Sequence, residues 1–246
     1  MLILSSRHNF TDPWRPGSYA FKMHTAIAGA EPSRWIPTME GTLLIHGYKT
    51  DADSAIANYG LIDAAIPEAK CNGLLWPGGD KVLDYPFASE RATDAGKRLR
   101  DVFQICSSSA GKLLHCQTHS LGARVACASL MHPGIWIGHL ILSAAAIAHD
   151  SFELGKEFVG VPSNCESVNI FFSSRDKVLA EAYPAGTFFR EHAMGLLGPK
   201  SFHGNIRAFD CSRVVGEHGG YKTCPKYFKA WQSIINETAK EGLTVL

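Results

Sequence analysis

The chain has 246 residues, 46% of them apolar, which at roughly 150 residues per domain points to one large domain with a sizeable core. Its 24 Lys and Arg residues against 23 Asp and Glu leave a formal charge of +1, too balanced to hold a nucleic-acid backbone or an acidic membrane surface by charge. Aromatic residues at 10% and charged residues at 19% exclude the composition of a disordered chain.

Short β-type runs alternate with helical patterns, as in a parallel sheet wrapped by crossover helices. Eight strands are predicted, at 2–4, 19–24, 42–45, 74–76, 112–117, 140–143, 168–172 and 206–209. From the third onward they read as nearly continuous apolar runs, the mark of strands covered on both faces. Between them, Ala55, Ile56, Tyr59, Ile62 and Ile66 recur at helical spacing behind cap residues at Asp51 or Asp53. Ala92, Ala95, Leu99, Val102, Phe103 and Cys106 mark a second amphipathic helix. A third runs over 121–131 and is stopped by Pro133, which cannot continue a helical ladder. The last starts near Pro225 and carries Tyr227, Phe228, Trp231, Ile234, Ile235 and Thr238 on one face.

No linker or repeat divides the chain, so residues 1–246 are expected to form a single domain. Residues 183–205 are rich in Gly, Pro and Phe and lack periodicity, as a surface loop or a small cap over a pocket would be. The longest apolar run, 140–148, is about half the ~20 residues a membrane-spanning helix needs. At the N-terminus only Leu2, Ile3 and Leu4 precede Ser5, Ser6 and Arg7, too little for a secretory signal. The cytoplasm is the expected compartment, with no stable membrane insertion. Seven Cys without a CxxC pair, several inside apolar runs, point to buried thiols rather than a disulfide framework.

The segment from Leu113 to Ala126 reads as strand, sharp turn and helix, with Ser120 at the turn. Such a turn projects a hydroxyl from the top of a sheet, beside the positive end of a helix. The familiar form is GxSxG; here Thr118 replaces the first glycine and Gly122 keeps the second. A serine capping the following helix is the bland alternative. Asp176 follows the strand 168–172, at the sheet edge where α/β proteins assemble their sites. His218 lies in a glycine-flanked loop after the strand 206–209. His203 is a rival base, and Asp150 and Asp210 are rival acids. His119, beside Ser120, reads as a packing or supporting residue. His115 and His119 are four apart, but on a strand running into a turn, so neither metal nor cofactor is implied.

With Ser, Asp and His in that order, the chain resembles the α/β-hydrolases, whose triads follow it. It resembles in particular a largely uncharacterised bacterial branch of serine hydrolases. Besides the Ser120 turn, the likeness rests on Leu44-Ile45-His46-Gly47-Tyr48, Leu75-Trp76-Pro77-Gly78-Gly79 and Ser174-Arg175-Asp176-Lys177-Val178-Leu179. It continues through residues 195–199, 209–212 and 216–221. The resemblance implies an α/β-hydrolase fold, with a mostly parallel eight-stranded sheet and helices on both faces. It also implies Ser120 as nucleophile, His218 as general base and acid, and Asp176 as the carboxylate orienting the imidazole. The oxyanion hole would be the N–H of Leu121 with that of Tyr48 or Gly47. Tyr48 and Trp76 are candidate pocket residues, with Phe188 and Phe189 behind them.

The expected function is hydrolysis of a small carboxylic ester through an acyl-enzyme, with no cofactor and no nucleic acid, and turnover rising with pH as His218 loses its proton. Thioester cleavage, amide cleavage and acyl transfer would use the same residues, and a binding protein on the same fold is the alternative from another class. The sequence leaves the oligomeric state open.

Overall fold

A computed structural model of the protein describes residues 1–7, 22–24, 36–79, 85–108, 113–187 and 191–246. Its frame is a sheet of nine strands: β1 (Ile3–Ser5), β2 (Lys22–His24), β3 (Thr42–Ile45), β4 (Cys71–Leu75), β5 (His115–His119), β6 (Ile137–Ser143), β7 (Cys165–Phe172), β8 (Ile206–Asp210) and β9 (Gly242–Val245). Their spatial order is β2-β1-β4-β3-β5-β6-β7-β8-β9. Every pairing is parallel except that of β2 with β1. Residues of β3, β4 and β6 are buried at every position. Successive side chains point to opposite faces, so both faces of the sheet are covered, as the apolar runs predict.

Among the described residues there are six α-helices: α1 (Ala52–Ala65), α2 (Tyr85–Ser108), α3 (Gly122–Leu130), α4 (Lys177–Gly186), α5 (Met194–Leu197) and α6 (Pro225–Ile235). Asp51 caps α1 by accepting from the Ser54 N–H at 2.8 Å, which satisfies one of the orphan donors of a first turn. In α6 the expected apolar face is buried at Tyr227, Trp231 and Ile234. Thr238 lies beyond the helix end. Residues 183–205 contain the end of α4 and all of α5; within them Ala193 and Met194 are fully buried, and the Met194 and Gly195 N–H groups donate to Ile147 and Ala145.

The sheet has one strand more than the eight expected. The additional strand, β9, is short and alternates between half-buried and exposed positions. At the sheet edge Leu243 and Val245 stay exposed, so no continuous apolar run marks it. β4 starts three residues before the predicted 74–76, and Trp76 lies just past its end. Of the predicted strand 19–24, residues 19–21 lie outside the described residues, as does residue 112 of the fifth. The seven cysteines are all buried with free thiols.

One feature of the topology places the site. The chain leaves β3 toward β4 on one side and later returns to β5 on the other. Between β3 and β5 the strand order reverses, and a crevice opens at their carboxyl ends. Ile45 pairs with Thr118, so the segments that leave these strands, His46-Gly47-Tyr48 and Ser120-Leu121-Gly122, emerge side by side.

Candidate active site

Ser120 follows the last residue of β5 and has φ +54. That left-handed conformation costs a non-glycine residue about 1–3 kcal/mol and persists only where the surroundings enforce it. The Ser120 N–H donates to the Ser143 carbonyl at 3.0 Å, and its own carbonyl accepts from the Ala123 and Ala146 N–H groups, both at 3.1 Å. α3 then begins at Gly122. A Cβ at Gly122 would stand 2.7 Å from the carbonyl oxygens of both Ile45 and His46, so only glycine lets the turn lie against the end of β3. Thr118, which departs from GxSxG, is fully buried with its hydroxyl 3.5 Å from the Ile141 carbonyl. Its hydroxyl is thus directed at β6, the neighbouring strand.

Asp176, four residues past β7, is the N-cap of α4 and 1% exposed. One carboxylate oxygen accepts from the Leu179 N–H at 3.0 Å, and the other lies 2.7 Å from His218 Nδ1. A carboxylate oxygen accepts, so Nδ1 carries the proton and Nε2 of the neutral ring keeps its lone pair. His218 sits in the loop between β8 and a short 3₁₀ turn, Gly220–Thr223. His119 Nε2 donates to the His218 backbone carbonyl at 2.8 Å, and the two rings are 4.7 Å apart. Burial first, then the neighbouring His218, lowers the His119 pKa to about 4, so His119 is a neutral support.

Ser120, His119 and His218 line one cavity of about 210 Å³, together with Gly47 and Tyr48. The rival residues lie elsewhere. His203 is largely exposed and 3.5 Å from Glu153. Asp150 pairs with Lys156 at 2.8 Å, and Asp210 accepts from the Ser212 N–H. His115 stacks on His139 at 4.8 Å rather than facing His119. Among the described residues no group of three or more His, Cys, Asp or Glu is arranged to hold a metal ion.

On the β3 side, Gly47 comes so close to the turn that an added Cβ would lie 3.0 Å from Ser120 Cβ and 3.2 Å from the His119 carbonyl. His46 Nδ1 donates to the Gly47 carbonyl at 2.7 Å. In a trans peptide the next N–H points the opposite way, so the Tyr48 N–H faces away from the His46 ring. His46 Nε2 accepts from the Trp76 N–H at 3.2 Å and lies 3.3 Å from Arg7 Nη2. Burial, then the Arg7 charge, pushes the His46 pKa down to about 3, which keeps Nε2 an acceptor. Arg7, 1% exposed, also donates to the carbonyls of Trp76 at 3.0 Å and Thr50 at 2.9 Å. β1, β3 and β4 are thereby tied to the loop that faces Ser120. The Leu121 N–H, at the start of α3, has no acceptor among the described residues.

Of the two aromatic pocket candidates, Tyr48 lines the cavity and packs edge-on against Tyr85 at 5.8 Å. Trp76 is fully buried, stacked on His46, with Nε1 donating to the His46 carbonyl at 2.8 Å; it braces the loop and does not line the cavity. Phe188 and Phe189 lie outside the described residues. The bracing role of Arg7 and His46 was not legible in the sequence. Nor was the place of Asn58 and Lys222 in the cavity wall. A lone Arg after a short apolar strand was the available signal for Arg7; nothing in the sequence joins Asn58 to Lys222.

Residues 37–183 match the profile of a family described as "Alpha/beta hydrolase of unknown function (DUF900)". The match covers more than half of the chain and takes in Tyr48, Ser120 and Asp176. The chain belongs to that family and has the α/β-hydrolase fold. Among solved structures it is similar to one from Xanthomonas campestris pv. campestris, described provisionally as a hydrolase of the alpha/beta superfamily. That similarity has 10% identity and a TM-score of 0.46, covering 80% of this chain and 99% of the other. No curated protein matches the chain. No helix among the described residues is long and apolar enough to cross a membrane.

Proposed function

We propose that the protein is a serine hydrolase that cleaves a small carboxylic ester through an acyl-enzyme. The observation that carries this reading is the pairing of a shared cavity with a buried carboxylate–imidazole contact. Ser120 shares its cavity with His218, and the far nitrogen of that imidazole is held 2.7 Å from a buried carboxylate.

A serine hydroxyl is too weakly acidic to attack at neutral pH unless an adjacent base takes its proton. His218 supplies that base at Nε2, because Asp176 holds the proton on Nδ1 and stabilises the imidazolium that forms. Ser120 Oγ attacks the ester carbonyl while its proton passes to Nε2. The oxyanion is met by the N–H of Leu121 and that of Tyr48 or Gly47, each donor typically worth about 3 kcal/mol. The imidazolium then gives its proton to the departing alkoxide as the ester C–O bond breaks. Water enters by the same route in reverse: His218 takes its proton, the hydroxyl adds to the acyl carbon, and Ser120 leaves with the proton returned from Nε2.

The test is a fluorophosphonate probe with an acyl series of 4-nitrophenyl esters. The wild type should be labelled and turn over a subset of the series. Ser120→Ala should lose the label and about 10⁴- to 10⁶-fold in kcat. His218→Ala should lose turnover while His203→Ala keeps it; the reverse pattern would move the base to His203. A chain that neither reacts with the probe nor hydrolyses any ester would sink the reading.

A further inference from the structure

The cavity beside Ser120 contains a cation that the ester-hydrolase reading does not use. Lys222 lies in the 3₁₀ turn Gly220–Thr223, just beyond His218, and its side chain helps line the cavity. The ammonium donates to Asn58 Oδ1 on α1 at 2.8 Å. That acceptor is a neutral amide, and among the described residues no carboxylate lies within ion-pair distance of Lys222. It is also the one permanent cation among the described residues lining this cavity. Tyr221, its neighbour and 2% exposed, lines the same wall, and its hydroxyl has no hydrogen-bond partner among the described residues.

An ammonium seated on a neutral acceptor, in a partly enclosed space, keeps a strong unfilled preference for an anion. Charge-assisted hydrogen bonds are roughly twice as strong as neutral ones. The charge present is single, and no guanidinium lies beside it in the wall to form the two-pronged grip that favours a phosphate. A carboxylate matches it. In a measure where about 10–15 Å³ admits one water, a cavity of about 210 Å³ has room for a short dicarboxylic acyl group.

We propose that Lys222, positioned by Asn58, recognises a carboxylate at the far end of the substrate, so that the preferred substrates are half-esters of short dicarboxylic acids. This rests on the ester-hydrolase reading and specifies its substrate class. Ser120 and His218 act on the ester carbonyl at one end of the cavity while Lys222 holds the free carboxylate.

The experiment compares kcat/KM for the 4-nitrophenyl half-ester of glutaric acid with that for the same compound with its free carboxylate methylated, each corrected for spontaneous hydrolysis. The wild type should prefer the anionic ester by about tenfold or more, the scale of a charge-assisted hydrogen bond. In Lys222→Met, which keeps the stem and removes the charge, that ratio should fall close to one. Lys222→Arg, which retains a positive charge, should keep a ratio clearly above that of the Met variant and guards against a folding defect. A wild-type ratio at or below one, or an equal ratio in wild type and Lys222→Met, would overturn the proposal while ester hydrolysis by Ser120 stood. Loss of both turnover and fluorophosphonate labelling in the wild type would instead remove the hydrolase reading and this inference with it.

Discussion

His119 Nε2 is 2.8 Å from the backbone carbonyl of His218, so the residue that precedes Ser120 on the turn also holds the loop that carries the proposed base. The bond needs a proton on His119 Nε2, and because a pKa lowered to about 4, by burial first and then by His218, keeps the ring neutral at working pH, the ring is the tautomer protonated there. His119 is a positioning residue in this arrangement. His119→Phe should lower kcat by about 10- to 100-fold, the scale of a misplacement near 1 Å, with KM little changed. His119→Gln, whose side-chain amide can donate to the same carbonyl, should recover part of kcat. Steady-state kinetics on one neutral nitrophenyl ester decide it, and equal kcat in all three proteins would remove the role.

Gly122 touches the backbone of both Ile45 and His46, where no side chain can yield. Gly122→Ala forces a Cβ to within 2.7 Å of two carbonyl oxygens and should cost about 1–3 kcal/mol of stability through overpacking. It should also reduce fluorophosphonate labelling of Ser120, since the turn must move. Urea unfolding and labelling rates test this, and wild-type values in both would mean that the crevice between β3 and the turn can open freely.

Arg7 braces the loop opposite Ser120 by reaching two carbonyls and the His46 ring from a fully buried position. Removing one partner of buried hydrogen bonds leaves the others unsatisfied, at about 1–3 kcal/mol each. Arg7→Met should therefore lower stability by about 3 kcal/mol or more. Arg7→Lys should restore only part of it, because an ammonium is a compact charge and lacks the planar fork of the guanidinium. Chemical denaturation of the three proteins is the measurement; full recovery by Lys would show that charge alone suffices.

Stability should fall as pH drops from 6.5 toward 4. The pKa of His46 is pushed down to about 3, and those of His115, His119 and His139 to about 4, in each case by burial before any neighbouring charge. In that window the unfolded chain binds protons that the folded chain refuses, so the unfolding free energy increases with pH, by up to about 1.4 kcal/mol per pH unit for each such group. Carboxylates with ordinary pKa values near 4 contribute mainly below the window. Urea midpoints at pH 7.5, 6 and 5 should decrease in that order; a constant midpoint would contradict the burial of these imidazoles.

The covered strands, the helices α1, α2, α3 and α6 and the turn at Ser120 were legible in the sequence, because each follows from local order. Apolar runs mark strands buried on both faces, 3.6-residue spacing marks amphipathic helices, and Ser120 lies where a strand pattern stops and a helix pattern starts. β9 was not legible: an edge strand with alternating exposure carries too little apolar sequence to stand out. His218 and Asp176 were the expected base and acid, but His203, Asp150 and Asp210 stood as rivals for a related reason, since these residues lie in loops without periodicity.

Sequence alone determined which chemistry the chain carries: an alcohol at a strand-to-helix turn, with carboxylates and imidazoles downstream. Tertiary structure alone decided which of those groups meet. His218 reaches Asp176 across 42 positions and His119 across 99; Lys222 reaches Asn58 across 164, and Arg7 reaches Trp76 across 69. Such contacts depend on the order of strands in the sheet, and above all on the reversal between β3 and β5. That order arises from global packing, which no local pattern of residues encodes.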